Sequence, residues 1–459
     1  MFELENLAYI KQIYPFEWVM LGIYMLVIMG VSFYIQITHI KRDRIYRYYT
    51  SAVFAKVISA VAFCLIYIYY YKGGDTVSYF ETSRALLNLG MKNPGNFLKE
   101  IVQTPSVPNY FLFDRVTGYP WSYMFYDHQT WFVAKLLTPI LVISFKSYLV
   151  STVMLSWLSF IGTWKLFKLL VRYYPNLEGR MAFCMLFVPS VLFWGSGILK
   201  DTITFAAVCW IIIGIDGVFI SKIKRLRNLF ILILSTWVLL SIKPYILISL
   251  LPGAFVWILY NRISKARSKF LKYSAIPLIY LSSFFIVYVT LSAFGDRLGK
   301  FSVKKMLVTA SITQKDLKQD YYHGSSFDIG DYDPTITGML SKVPAAITVG
   351  LFRPFLWEAR NPVMIASGLE NFSFLLLAIG VVVGFFFKMK KFFKIILENP
   401  FLIFLLSYTI FFSLLVGLST SNFGALVRFK IPFLPFFVCA LVLMNYFLWS
   451  KKHNDKSST

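Results

Sequence analysis

Residues 41–75 read KRDRIYRYYTSAVFAKVISAVAFCLIYIYYYKGGD. A run of four cations and one acid gives way to an apolar stretch, about 20 residues long, the length that crosses a bilayer as a helix. Two glycines and Asp75 follow at its far end. The pattern orients the segment: Lys and Arg beside a membrane span stay on the cytoplasmic side, which places 41–49 inside and Asp75 outside.

Five further basic clusters repeat the signal. They are 165–180, 222–227, 262–272, 388–398 and the tail 451–459, and with 41–49 they carry +20 of the chain's +24. The chain is 58% hydrophobic, 19% aromatic and only 15% charged, more apolar surface than a soluble chain of 459 residues can bury. The basic balance does not point to nucleic acid, because the charge lies in short juxtamembrane runs and forms no separate domain. Membrane lipids with anionic headgroups are the partners it fits. Cys64, Cys184, Cys209 and Cys439 all fall in apolar segments without CxxC spacing, which argues against a disulfide framework or a zinc site. The acidic opening MFELENLAYIKQIYP is unlike a cleavable signal peptide.

Eleven spans are expected, at 18–38, 50–71, 147–169, 181–198, 202–220, 228–242, 244–261, 273–294, 362–387, 399–418 and 427–449. The expected fold is therefore all-α and polytopic, with the N-terminus outside and the C-terminus inside. Every basic cluster then falls on the cytoplasmic face. Residues 1–49 form an extra N-terminal helix and the first cytoplasmic loop. Residues 50–449 form one transmembrane domain and 450–459 a cytoplasmic tail. Two long segments stay outside, 72–146 and 295–361. Within them QTWFVAKLLTPILVISFKS (129–147) and TITGMLSKVPAAITVGLFRPFLWEAR (335–360) read as juxtamembrane helices lying in the interface, since proline and interspersed cations interrupt both.

Chemistry is sought in these outer segments. A carboxylate at Asp75, held close to the lipid surface by Gly73 and Gly74, is placed to act as a general base on a substrate hydroxyl. The competing reading is an N-cap for the helix that follows. At the turn between the fourth and fifth spans, PSVLFWGSGILKD (189–201), Lys200 beside a helix N-terminus suits a phosphate. Asp201 alternatively caps the fifth span and pairs with Lys200. Lys243, Arg353, Arg360 and Arg428 come from other outer turns, with Glu358 beside the arginines. Snorkelling or an interfacial belt explains each one alone. Together, at one membrane depth and opposite the basic clusters, they suit an anionic headgroup.

The long outer loop opening GGDTVSYFE (73–81), and the later segments RPFLWEAR (353–360) and VRFKIPFLP (427–435), resemble the GT-C superfamily of polytopic glycosyltransferases over residues 50–449. The resemblance implies a bacterial inner-membrane enzyme of surface-polysaccharide assembly. It would transfer a sugar or oligosaccharide from a polyprenyl-phosphate-linked donor to a glycan or lipid-linked acceptor. It implies Asp75 as base and Arg353, Arg360 and Arg428 as phosphate ligands. The family's paired acidic motif is here a single Asp75 with Glu81 six residues on, so no metal and no other cofactor is expected from the residues. The competing functions are a polysaccharide polymerase or ligase, and a transporter of lipid-linked glycans that carries out no chemistry.

Overall fold

The computed structural model describes residues 12–263, 274–283, 285, 303–317, 319, 326–330 and 332–450. Most of the basic cluster 262–272, the tail 451–459, much of the expected span 273–294 and parts of 295–361 lie outside the described residues. The described residues are helical, and the chain is a polytopic membrane protein. Among the described residues seven helices are long and apolar enough to cross a membrane: Pro15–Ile40, Arg44–Tyr70, Tyr148–Tyr173, Lys200–Ile220, Arg225–Ile242, Pro362–Phe387 and Pro400–Ser419. Phe423–Phe429 and Leu434–Trp449, bent by 70° at a short break, bring the number to eight when counted as one span. The segments 244–261 and 273–294 are represented by shorter apolar helices, the second only in part.

Two compact units divide the chain: Met1–Gly214 with Phe230–Lys243, and Ile215–Leu229 with Pro244–Thr459. In the first, α1 (Pro15–Ile40), α2 (Tyr49–Leu65, extended by a wide turn to Tyr70) and α3 (Asp75–Lys92) lead into a module of shorter helices. At one end of the bundle Arg47 pairs with Glu178 at 3.0 Å and Lys168 with Asp43 at 3.0 Å, joining basic clusters 41–49 and 165–180. At the other end Glu17, 4% exposed, accepts from Ser147 Oγ at 2.6 Å and from the Leu149 amide at 3.4 Å. It satisfies orphan donors at the start of the third spanning helix. Glu17 is therefore a buried cap rather than a free external acid.

The module of residues 75–143 adds α4 (Pro94–Val102) and α5 (His128–Ile143). Helix α3 buries Leu86 and Leu89 against Phe113, Phe125 and Trp131 in one apolar cluster. Each such side chain contributes about 1.5–3 kcal/mol. Helix α5 therefore spends its apolar residues on protein: Trp131, Val133, Ala134, Leu137 and Leu141 are buried.

Glu100 of α4 is fully buried, and neither carboxylate oxygen has a hydrogen-bond partner among the described residues. Lys135 spends its ammonium on the carbonyls of Ile101 at 2.9 Å and Gln103 at 3.3 Å. Burial pushes the Glu100 carboxyl up to about 7, with Lys135 pulling the other way. A raised folded-state value means that its stabilising protonation is complete below pH 4.5 and lost as pH rises through 7. Glu100→Gln should leave the unfolding midpoint nearly unchanged at pH 4 and raise it at pH 8. Equal midpoints of variant and parent at both values would contradict this.

The expected span 181–198 is not one helix. Between α6 (Tyr148–Tyr173) and α8 (Lys200–Ile215) the chain runs as short pieces, including α7 (Pro189–Trp194). Pro189 supplies no amide to continue a helix. The turn after α7 packs beside the middle of the second spanning helix: Lys56 Nζ donates to the Gly195 carbonyl at 2.5 Å. A Cβ on Gly197 would stand 2.2 Å from the Phe63 ring. Helix α9 (Arg225–Ile242) begins in the second unit and ends in the first.

In the second unit α10 is Pro244–Ile263, α11 Val303–Asp316, α12 Ile336–Ser341, α13 Val343–Phe352, α14 Pro362–Phe387, α15 Met389–Glu398, α16 Pro400–Ser419, α17 Phe423–Phe429 and α18 Leu434–Trp449. Helix α13 packs antiparallel along the last part of α16. A Cβ on Gly350 would meet the Ser413 carbonyl at 2.2 Å, and one on Gly417 the Ala346 carbonyl at 2.0 Å. Small residues let two membrane helices touch backbone to backbone. Since backbone cannot step aside, Gly417→Ala should cost about 1–3 kcal/mol. Gly30→Ala, with open space around it, should cost nothing. Thermal unfolding in detergent checks the contrast.

The last span breaks at Lys430–Phe433, a turn that contains Pro432 and is followed by Pro435. The Tyr408 hydroxyl, from the middle of α16, donates to the freed Pro432 carbonyl at 3.0 Å. A break at that depth is tolerated because a neighbour restores the lost bond.

Candidate functional site

The first unit gathers four of the expected residues. Gly73 and Gly74 adopt φ of 128° and 115°, conformations that a side chain would resist. Gly74, not Asp75, takes the N-cap position; its carbonyl accepts from Val77 at 3.0 Å and Ser78 at 3.2 Å. Asp75 is the first residue of α3 and is exposed, where the helix dipole favours an anion. Glu81 points elsewhere: it is 3% exposed and accepts from Trp121 Nε1 at 3.3 Å, with Arg84 3.6 Å away. Among the described residues no three His, Cys, Asp or Glu side chains gather as metal ligands.

Lys200 and Asp201 reach to different partners. Adjacent residues on a helix face different directions. Lys200 Nζ donates to Thr130 Oγ1 at 2.7 Å and to Asp127 Oδ2 at 3.3 Å. Asp127 in turn accepts from the Thr130 amide at 3.1 Å and caps α5. Asp201, 1% exposed, instead receives Lys243 Nζ at 2.5 Å, and Lys243 is 8% exposed. This buried pair ties the start of α8 to the residue that ends α9. Of the two lysines only Lys200 keeps appreciable exposure, at 20% of its side chain.

The second unit holds the remaining four. Arg353 Nε donates to Glu358 Oε1 at 2.9 Å and Oε2 at 3.1 Å, and a second guanidinium nitrogen also reaches Oε1. The Phe327 and Phe423 rings flank the guanidinium at 4.8 and 5.6 Å. Lys430, 1% exposed, donates to the Arg353 carbonyl at 2.5 Å. Asn371 donates to the neighbouring Pro354 carbonyl at 3.1 Å. Asn371 stands nine residues into α14, about 13 Å along its axis at 1.5 Å per residue. Arg353 is therefore set alongside α14, and its fork is occupied by Glu358. Arg360 is exposed and Arg428 half-buried on α17.

Sequence reasoning missed Asp127, Thr130 and the structural weight of Lys430. Asp127–Thr130 ahead of an apolar run has the spacing of a helix N-terminus. Its tie to Lys200, 73 residues away, left no local trace. Comparison with family models, curated proteins and solved structures returns no match.

Proposed function

We propose that the chain is a membrane glycosyltransferase of the GT-C type. It would work on the outer face of a bacterial cytoplasmic membrane in cell-surface glycan assembly, with the basic clusters facing the cytoplasm. The donor would be a sugar or oligosaccharide on a polyprenyl phosphate, and the acceptor a glycan or another lipid-linked chain. The observation that carries this reading is the setting of Asp75: an exposed carboxylate in the first turn of a non-spanning helix, held by two glycines at the end of a spanning one. Asp75 would accept the acceptor hydroxyl's proton as oxygen attacks the anomeric carbon and the lipid phosphate leaves. Lys200, in the same unit as Asp75, is the cation assigned to phosphate, while Arg360 and Arg428 belong to the other unit. Asp201, Lys243, Arg353 and Glu358 are assigned to holding structure, because Asp201 with Lys243 and Arg353 with Glu358 form close ion pairs. Release of polyprenyl phosphate from a supplied donor, compared between the parent and Asp75→Asn, tests the reading. A polymerase or ligase would share this chemistry and differ in taking a lipid-linked acceptor.

One observation favours a second reading, transport of a lipid-linked glycan without turnover. Broken helices with charge inside the bilayer are a transporter feature, and the chain has a mid-span break at Lys430 and a buried Lys56. Donor lipid moved between leaflets of a vesicle without release of lipid phosphate would establish it.

A further inference from the structure

The second unit contains a polar cleft of about 630 Å³, large enough for a short glycan. Lys315 of α11, Asp333, and Ser341 and Lys342 at the end of α12 supply its polar lining. Neither lysine ammonium has a hydrogen-bond or ion-pair partner among the described residues. Two cations face one carboxylate, so the cleft favours a ligand with negative charge.

The walls are held in place by backbone rather than by chance. Tyr332 donates its hydroxyl to the Leu418 carbonyl at 2.8 Å, anchoring the cleft to the end of α16. Gly330 adopts φ +79°, and its amide donates to Asp328 Oδ1 at 2.8 Å. A Cβ at Gly330 would stand 2.6 Å from Lys342 Nζ, so the missing side chain leaves the room in which that ammonium rests. Gly338 sits against the Asp333 carbonyl, where a Cβ would come within 2.4 Å. Thr335 caps α12 by accepting from the Gly338 amide at 3.1 Å.

We propose that this cleft binds an anionic glycan, a short oligosaccharide bearing carboxylate or phosphate, with Lys315 and Lys342 reading the charge and Ser341 and Asp333 the hydroxyls. Serine and aspartate side chains suit sugar hydroxyls, as donor and acceptor together. The ligand class rests on the proposed glycan transfer, and the cleft would hold the acceptor or the growing chain. It is a binding site, with no step of the reaction assigned to it.

The test is binding to the purified full-length chain in neutral-lipid nanodiscs, read by calorimetry with three probes: a galacturonic acid trimer, maltotriose and inorganic phosphate. The trimer should bind saturably and maltotriose at least tenfold more weakly. Lys315→Gln combined with Lys342→Gln should weaken the trimer at least tenfold without moving the unfolding midpoint. Gly330→Ala, which keeps both lysines, should weaken it as well. No saturable trimer binding, equal binding of maltotriose, or a double variant that binds like the parent would overturn the proposal. Phosphate binding as tightly as the trimer would overturn its glycan part, showing a bare anion site. Asp75→Asn, expected to abolish transfer, should leave trimer binding intact, so the cleft and the transfer reaction fail separately.

Discussion

Lys243→Met is expected to cost the protein about 3–5 kcal/mol, a larger loss than that of Gly417→Ala. Its ammonium lies 2.5 Å from Asp201, and the two are 8% and 1% exposed. Removing one partner leaves the other charge in a low dielectric without its close counter-ion. Asp201→Asn should therefore be nearly as damaging. The double variant should recover most of the loss, because a neutral pair of similar volume restores packing without a buried charge. Unfolding of all four proteins in one detergent gives the double-mutant cycle. A coupling below about 0.5 kcal/mol would show that Asp201 and Lys243 act independently and that the pair does not hold the start of α8 to the end of α9. Activity in the single variants should fall only as far as the folded fraction falls, since neither residue is assigned to substrate.

Asp75→Asn is expected to behave in the opposite way. The side chain is exposed and Gly74 holds the cap, so stability should change by less than about 0.5 kcal/mol. Turnover should drop by about 10²–10⁴, the usual contribution of a positioned general base. Asparagine keeps the shape and the helix-terminal position but accepts no proton, which separates base catalysis from local folding. Asp75→Glu should retain partial turnover with unchanged stability. A deep loss of turnover in Asp75→Asn together with a collapse of the unfolding midpoint would instead assign Asp75 a structural role.

Much of this architecture is legible in the residues. Helix length and apolarity find the seven long spans, and the charge pattern finds their ends: clusters 41–49 and 165–180 meet through Arg47–Glu178 and Lys168–Asp43. Hydropathy cannot distinguish a spanning helix from an apolar segment folded irregularly inside protein, so 181–198 reads as a span although Pro189, Gly195 and Gly197 lie in plain view. It also gives no sign of the close approach of α13 to α16, where Gly350 meets Ser413 and Gly417 meets Ala346.

Candidate chemistry is legible at Asp75, where the signal is local: two glycines, an acid and a helix start. The cations are a different case. Their sequence neighbours give no sign that Lys243 is claimed by Asp201 or Lys200 by Asp127, partners 42 and 73 residues away. Nor does any local signal show that Asn371 of α14, 17 residues on from Pro354, holds the chain beside Arg353 through the Pro354 carbonyl.

Asp75 as the base of a transfer from a lipid-phosphate donor is tested most directly by one measurement. The purified protein, in native lipids, is supplied with a polyprenyl-phosphate sugar and an acceptor glycan, and free polyprenyl phosphate is followed over time. The parent should release it in step with acceptor glycosylation, and Asp75→Asn, equally folded, should release at least 100-fold less. Equal release by the two proteins, or none by the parent while donor lipid still crosses the bilayer, would contradict that role.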